Sequence, residues 1–469
     1  MNSVIPFVKQ SLISAAIVLV VSLSLIIYSL PQLPPLSPQW DQNVNHGISM
    51  PWSGLNTTMS GSYCDAIPDG FFEDVQIIMK TGTSEVHDRL ATHLLSNSQC
   101  VPDLLIFSDA ALRMGPYNIH DALDSLPTSY TETVPEFSLW RDLQDALAEG
   151  HQLSSVNIDF RRAWTLDKYK FLPMVDKTFA LAPNKKWYFF VEADTYVFWG
   201  NFARWVRQLD PERPRYLGIP MLHGDVLFAY GGAGYLLSSA AMRKLLIDNR
   251  PPGADKPGST QFRVDLQHLC CGDTGLALAL RKVGIEMTSY WPMLNGHNWV
   301  DVPYGRGQWC HPLVTLHHMK PEDLTHMMEI ELSREDPAAP FLMEDLFNAT
   351  VGQELPTERR DWNVKDDEIL TRWNEYDDQE RFEAGTWRDD VQQNSYSSKE
   401  SCQRACEERA DCVQWSYRGY KCGMGRVFRL GKPTPPAGSK QFFTGWIPSR
   451  IDQLREGTPC KGPKWIEHE

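Results

Sequence analysis

Five consecutive large apolar side chains, Trp187-Tyr188-Phe189-Phe190-Val191, run directly into Glu192-Ala193-Asp194. Successive side chains of a strand point to opposite faces, so an unbroken apolar run must be covered on both sides. Sheets covered on both faces belong to layered α/β folds, and the flanking segments agree. Val75 to Met79 and Leu104 to Phe107 read as further strands. Ser84 to Ser96 reads as a helix, with Val86, Leu90 and Leu94 four apart on one face. Arg161 to Ala180 reads as a second helix, kinked or halved at Pro173. The expected fold class is therefore α/β with a mainly parallel sheet.

The place where the strand stops points to chemistry. Open α/β sheets gather ligands beyond the carboxyl ends of their strands. Glu192 and Asp194, spaced i, i+2, would offer hard oxygen ligands to Mg²⁺ or Mn²⁺, which can bridge a diphosphate and act as a Lewis acid. A turn with its acids facing water explains the same triplet. Asp273 precedes the apolar run Leu276 to Leu280, where an acid either caps a helix or stands exposed as a base. Gly231-Gly232-Ala233-Gly234 fits neither a dinucleotide fingerprint nor a Walker loop, and reads as a close backbone approach to a ligand or a flexible turn. His311, His317 and His318 cluster before Pro321. Side-chain alternation predicts that only one of His317 and His318 faces a metal.

The ends of the chain suggest its compartment. Lys9 precedes an uncharged apolar run from Leu12 to Leu30, then Pro31. The run is long enough for a bilayer and longer than the apolar core of a cleaved signal peptide. It predicts a cytoplasmic tail over 1–9, a transmembrane signal anchor over 10–30 and a proline-rich stem over 31–62, with the remainder lumenal. Ten cysteines without C-x-x-C knuckles, and sequons at Asn56 and Asn348, suit an oxidising compartment. Cys402 and Cys406 lie one helical turn apart and are followed by Cys412 and Cys422, which predicts a helix stapled to a strand by two disulfides. The acidic stretch from Glu354 to Glu383 reads as a connector. A net charge of −14 argues against a nucleic-acid partner, although a metal would still allow a diphosphate.

Four segments then form a pattern: Glu192 to Val197 (EADTYV), Tyr230 to Tyr235 (YGGAGY), Cys271-Gly272-Asp273 and Thr315-Leu316-His317-His318. Their order resembles glycosyltransferase family 31, in its fringe and core 1 β1,3-galactosyltransferase branch, over roughly Phe71 to Met328. The resemblance implies a GT-A-type nucleotide-sugar transferase over 63–350 that inverts the anomeric carbon. It implies Mn²⁺ (or another divalent cation) on Asp194 and His317, with His318 as the substitute, and Asp273 as general base. Lys80, Thr81, Gly82 and Asp109 would hold the nucleoside of a UDP-sugar, and Gly231, Gly232, Ala233 and Gly234 would wall the donor and acceptor pocket. Arg89 would meet a phosphate or simply face solvent.

Glu192 and Ala193 depart from the family's D-x-D motif at positions that would touch the donor. UDP-galactose is the first expected donor and UDP-N-acetylglucosamine the second, with transfer to a glycan or glycoprotein hydroxyl in a β1,3 linkage, in the Golgi or ER. The cysteine cluster resembles a small α+β PAN/apple domain over 363–446, a module that binds proteins or carbohydrates, before a tail over 447–469. Domain membership pairs Cys64 with Cys100 and Cys271 with Cys310. Two rival classes stay open: a membrane-tethered carbohydrate- or protein-binding protein with a degenerate transferase domain, and a glycoside hydrolase, which needs two carboxylates but no metal or nucleotide.

Overall fold

A computed structural model describes residues 63–248, 264–352, 357–371, 394–436, 441–455 and 459–468. The expected tail, anchor and stem over 1–62 lie outside the described residues. Within these, no helix is long and apolar enough to cross a membrane.

The first half of the chain builds an eight-stranded sheet from β1 (Val75–Lys80), β2 (Leu104–Ser108), β3 (Leu112–Met114), β4 (Tyr117–Asp121), β5 (Trp187–Glu192), β7 (Tyr216–Gly218), β10 (Tyr235–Ser238) and β11 (Met287–Ser289). Between these lie β6 (Tyr196–Val197), β8 (Pro220–His223) and β9 (Val226–Ala229), and after them β12 (Thr315–Leu316). The sheet order is β11-β7-β10-β5-β1-β2-β4-β3. Strands β5, β1, β2 and β4 run parallel, while β10 and β3 are antiparallel to their neighbours, so the sheet is mixed.

The apolar run of β5 is covered on both faces, as its composition requires. Tyr188 and Phe190 enter one core; Trp187, Phe189 and Val191 enter the other. Phe190 stacks on Tyr235 with ring centroids 4.7 Å apart, and Phe189 on Phe202 at 4.3 Å. Each such ring contributes roughly 1.5–3 kcal/mol by leaving water. The strand is therefore pinned from above and below, and its carboxyl end has a fixed position.

The expected helix over Arg161 to Ala180 is two helices, Phe160–Asp167 and Phe171–Leu181, separated by Lys168-Tyr169-Lys170. Pro173 does not cause the break. It occupies the first turn of the second helix, where a missing N–H removes no intrahelical bond. The Ser84–Ser96 segment is helical in three short pieces, and Val86, Leu90 and Leu94 are buried as their spacing predicts.

The C-terminal part also departs from expectation. A five-stranded antiparallel sheet, ordered β13-β19-β16-β17-β15, comprises β13 (Glu358–Arg360), β15 (Glu368–Thr371), β16 (Gln414–Arg418), β17 (Lys421–Gly425) and β19 (Phe442–Trp446). The stretch read as a connector thus supplies β13 and β15, together with β14 (Trp362–Asn363), which pairs with β18 (Lys432–Pro433). Two disulfides staple helix Lys399–Glu408: Cys402–Cys422 reaches strand β17 as expected, whereas Cys406–Cys412 reaches the loop before β16.

This sheet shares a core with the first half: Phe428 packs against Tyr304 and Phe347, with centroids 5.9 and 5.3 Å apart, and Trp446 joins the same cluster. Cys64–Cys100 forms as expected, but the pairing of Cys271 with Cys310 is overturned. Cys271 bonds to Cys270, and Cys310 to Cys460. Domain membership misled because the tail folds back: the Lys464 N–H donates to the Cys310 carbonyl (2.8 Å), and Trp465 and Ile466 pack on the main-sheet core.

Because both halves share aromatic contacts and a disulfide, the chain from residue 61 onward should melt in one cooperative transition followed by tryptophan fluorescence. A chain ending at Gly352 should expose Tyr304, Trp309 and Phe347 and fail to fold; two separable melting transitions would contradict the shared core.

Candidate active site

Where β5 leaves the sheet, the backbone turns from Glu192 to Thr195, closed by the Thr195 N–H on the Glu192 carbonyl at 2.9 Å. The Thr195 hydroxyl accepts from the Glu192 N–H (3.1 Å) and donates to the Gly232 carbonyl (2.8 Å). The chain continues into β6, which pairs antiparallel with β12 so that Leu316 faces Tyr196. This short ribbon carries the next residue, His317, to Asp194: its Nε2 lies 3.1 Å from Asp194 Oδ1. Arg89 donates to Asp194 Oδ2, also at 3.1 Å. The His317 ring lies over Gly232, where an added Cβ would come within 2.0 Å of it. Glycine at 232 is therefore a condition for the histidine's position.

Alternation predicted that only one of His317 and His318 would face a metal, and this fails. Strand β12 ends at Leu316, and His318 adopts a left-handed backbone with φ 59°, so the rule for strands no longer applies. One ligand atom each from Asp194, His317 and His318 lie within 4.8 Å of one another, a group able to hold a metal ion. Among the described residues, the buried Nδ1 of His317 has no hydrogen-bond partner. One carboxylate and two imidazoles fit a first-row transition ion better than Mg²⁺. Burial pushes the Asp194 carboxyl upward, but His317 and Arg89 outweigh it and hold the group well below the usual carboxylate range. Burial, then His317 beside it, pushes His318 down to about 4. Near neutral pH an anionic carboxylate and a neutral His318 are the forms that ligate a metal.

A charged floor lies beside this group. Lys80 pairs with Asp167 and with Glu192 Oε1 (3.2 Å), and its ammonium sits 5.1 Å from the Phe171 ring centre. Lys170, from the turn between the two helices, reaches Asp109 (3.5 Å), Asp167 (3.2 Å) and the Thr81 carbonyl (2.9 Å). Burial opposes the charge on Lys80, but Asp167 and Glu192 more than offset it and raise its pKa. Asp109 Oδ1 accepts from the Thr83 N–H (2.8 Å), the Thr83 hydroxyl and the Ser108 hydroxyl (3.0 Å). With Lys170 beside its other oxygen, Asp109 holds the ends of β1 and β2 in place.

Asp273 is the second residue of helix Gly272–Lys282 and is not its N-cap; that position is Cys271, whose side chain makes no capping bond. Asp273 Oδ2 accepts from the Gly231 N–H (3.0 Å) and Oδ1 from its neighbour Thr274 N–H (2.9 Å). Gly272 lets the helix start close in: a Cβ there would meet the Lys168 carbonyl at 2.3 Å. Burial pushes the Asp273 carboxyl up to about 6 against the opposing pull of those two N–H bonds. It remains at the cleft surface and titrates near working pH, which suits a general base.

Asp194, His317, His318 and Asp273 line one cleft of about 580 Å³ together with Lys80, Gly82, Arg89, Asp109, Glu192 and Gly232. Thr81, Ala193, Gly231, Ala233 and Gly234 are buried behind that surface and do not line it. Tyr230, the first residue of the YGGAGY segment, also lines the cleft, as do Asp167 and Lys170, which no sequence pattern marked. Seven carboxylates line it against four lysine and arginine side chains, so a diphosphate would be repelled unless a cation accompanied it. No family model matches the chain, and no curated protein matches it.

Gly232→Ala should displace the His317 ring and weaken binding of Mn²⁺, Co²⁺ or Zn²⁺ by about 10–100-fold, the usual cost of disturbing a ligand's support. Isothermal titration reads this directly, and unchanged affinity would remove His317 from the ligand set.

Proposed function

We propose that this chain is an inverting, metal-dependent glycosyltransferase of the GT-A type, related to family 31, which moves a hexose from a UDP-sugar to a hydroxyl of a glycan or glycoprotein. The observation that carries the reading is the meeting, in one cleft at the carboxyl end of β5, of a metal-competent Asp194–His317–His318 group and Asp273, a carboxylate raised to about 6. Galactose is the first donor sugar to test and N-acetylglucosamine the second, with a β1,3 linkage.

Asp194, His317 and His318 would hold Mn²⁺ or a similar cation, which supplies counter-charge for a departing diphosphate. Asp273 takes the proton from the acceptor hydroxyl as that oxygen attacks the anomeric carbon from the face opposite UDP. The Gly231 and Thr274 N–H groups keep its carboxylate aimed while it does so. Glu192, which departs from the family motif, is held by Lys80 and stays at the cleft, so the departure leaves the metal group assembled. Lumenal residence as a type II protein of the Golgi or ER is supported by five disulfides with no free cysteine among the described residues, and by the exposed sequon asparagine Asn348.

UDP should protect the protein against heat only when Mn²⁺ is present, by about 2.7 kcal/mol at a hundredfold excess over Kd. Asp194→Ala should abolish that protection. A wild-type melting point that UDP leaves unmoved with every divalent cation would sink the proposal in favour of a hydrolase or a binding protein.

Asp273→Asn should keep UDP–Mn²⁺ protection but lower transfer by about 10²–10⁴ in kcat, measured by UDP release from UDP-galactose and UDP-N-acetylglucosamine. Only the ionised carboxylate accepts a proton, so wild-type activity should fall as pH drops through about 6 and level off above it. A flat profile between about pH 5 and pH 7 would argue for another base.

A further inference from the structure

Helix Phe160–Asp167 carries a stripe that borders the cleft, with Ala163 packed against the main core and the two aromatic rings left exposed. Phe160, Ala163, Trp164 and Asp167 follow the i, i+3, i+4, i+7 spacing of a single helix face, and all line the cleft. A surface helix ordinarily turns such a stripe inward. Here Leu166 is the helix's buried residue, while Phe160 is 82 % and Trp164 60 % exposed.

We infer that Phe160 and Trp164 form the stacking floor of an acceptor-glycan subsite, each ring taking one pyranose of at least a disaccharide. The ligand chemistry follows from the neighbours. A pyranose offers an apolar C–H face to an aromatic ring and hydroxyl donors at its rim, and the excess of carboxylates lining the cleft supplies acceptors. The same excess repels an anion. A neutral polyol with one apolar face meets both conditions.

The helix also lies on the side of the candidate base. Lys168, one turn beyond Trp164, packs its carbonyl against Gly272, the residue before Asp273. At 1.5 Å per residue, Trp164 stands about 6 Å and Phe160 about 12 Å back along the helix from Lys168. Trp164 would then hold the terminal sugar, whose hydroxyl Asp273 deprotonates, and Phe160 the preceding one. Calling the ligand an acceptor rests on the transferase reading; carbohydrate binding by the aromatic pair does not.

The test uses the full-length chain in detergent on an array of mono- and disaccharide glycans, with UDP–Mn²⁺ thermal protection measured in parallel. Trp164→Ala and Phe160→Ala should lower binding of the best disaccharide at least tenfold, with UDP–Mn²⁺ protection unchanged and Trp164→Phe retaining most of the binding. The stacking floor is refuted if the wild type binds no glycan, or if Trp164→Ala binds glycans as the wild type does. Lost UDP protection in Trp164→Ala refutes it too, since the ring would then stack on uracil. Glycans bound through Trp164 without any UDP binding would uphold the subsite and overturn the transferase reading.

Discussion

Asp194 and His317 are distant in sequence but held 3.1 Å apart, and the organisation of the cleft follows from how that contact is enforced. The ribbon between β6 and β12 is only two residues long on each side, too short to be stable alone. Its position comes from support on every side. The His93 Nε2–H donates to the Thr195 carbonyl (2.8 Å), the Met319 N–H to the Asp194 carbonyl (3.0 Å), and Asn97 bonds both the N–H and the carbonyl of Val197. Gly232 then lets the histidine ring lie flat on the backbone. A carboxylate and an imidazole are thereby kept in contact.

The charged floor serves a related end. Lys80, Asp167, Lys170 and Asp109 form a chain of buried or half-buried ion pairs that joins the ends of β1 and β2 to the turn between helices Phe160–Asp167 and Phe171–Leu181. Buried ion pairs add little net stability, because desolvation opposes the Coulomb attraction. Their effect is to fix geometry: removing one partner strands another charge away from water. The Lys168–Lys170 turn must stay where it is, and with it the aromatic stripe on one side and the Gly272 contact on the other.

The C-terminal sheet is part of the same body. Its strands begin before the cysteine cluster, its aromatic residues complete the cluster around Tyr304 and Phe347, and the final residues return to the main sheet. Arg450 donates to the carbonyls of Cys406, Arg409 and Cys412, closing the end of the stapled helix. A module tied in at so many points packs as one body with the cleft-bearing half.

The sequence alone determined the elements whose chemistry is local. The apolar run of β5 demanded cover on both faces, the spacing of Cys402 and Cys406 set two thiols on one helix face, and Val86, Leu90 and Leu94 marked a buried stripe. The composition of single segments placed Glu192 and Asp194 at a strand's end and Asp273 at a helix start. Tertiary structure alone decided which of these meet. Lys170 and Asp167 carry no pattern, because an ion pair between distant segments leaves no periodicity behind. His318 came beside Asp194 and His317 where its backbone turns left-handed, and Cys310 found Cys460 because the tail folds back. Periodicity records only whether a side chain faces in or out; which partner it meets there is set by the path of the chain through space.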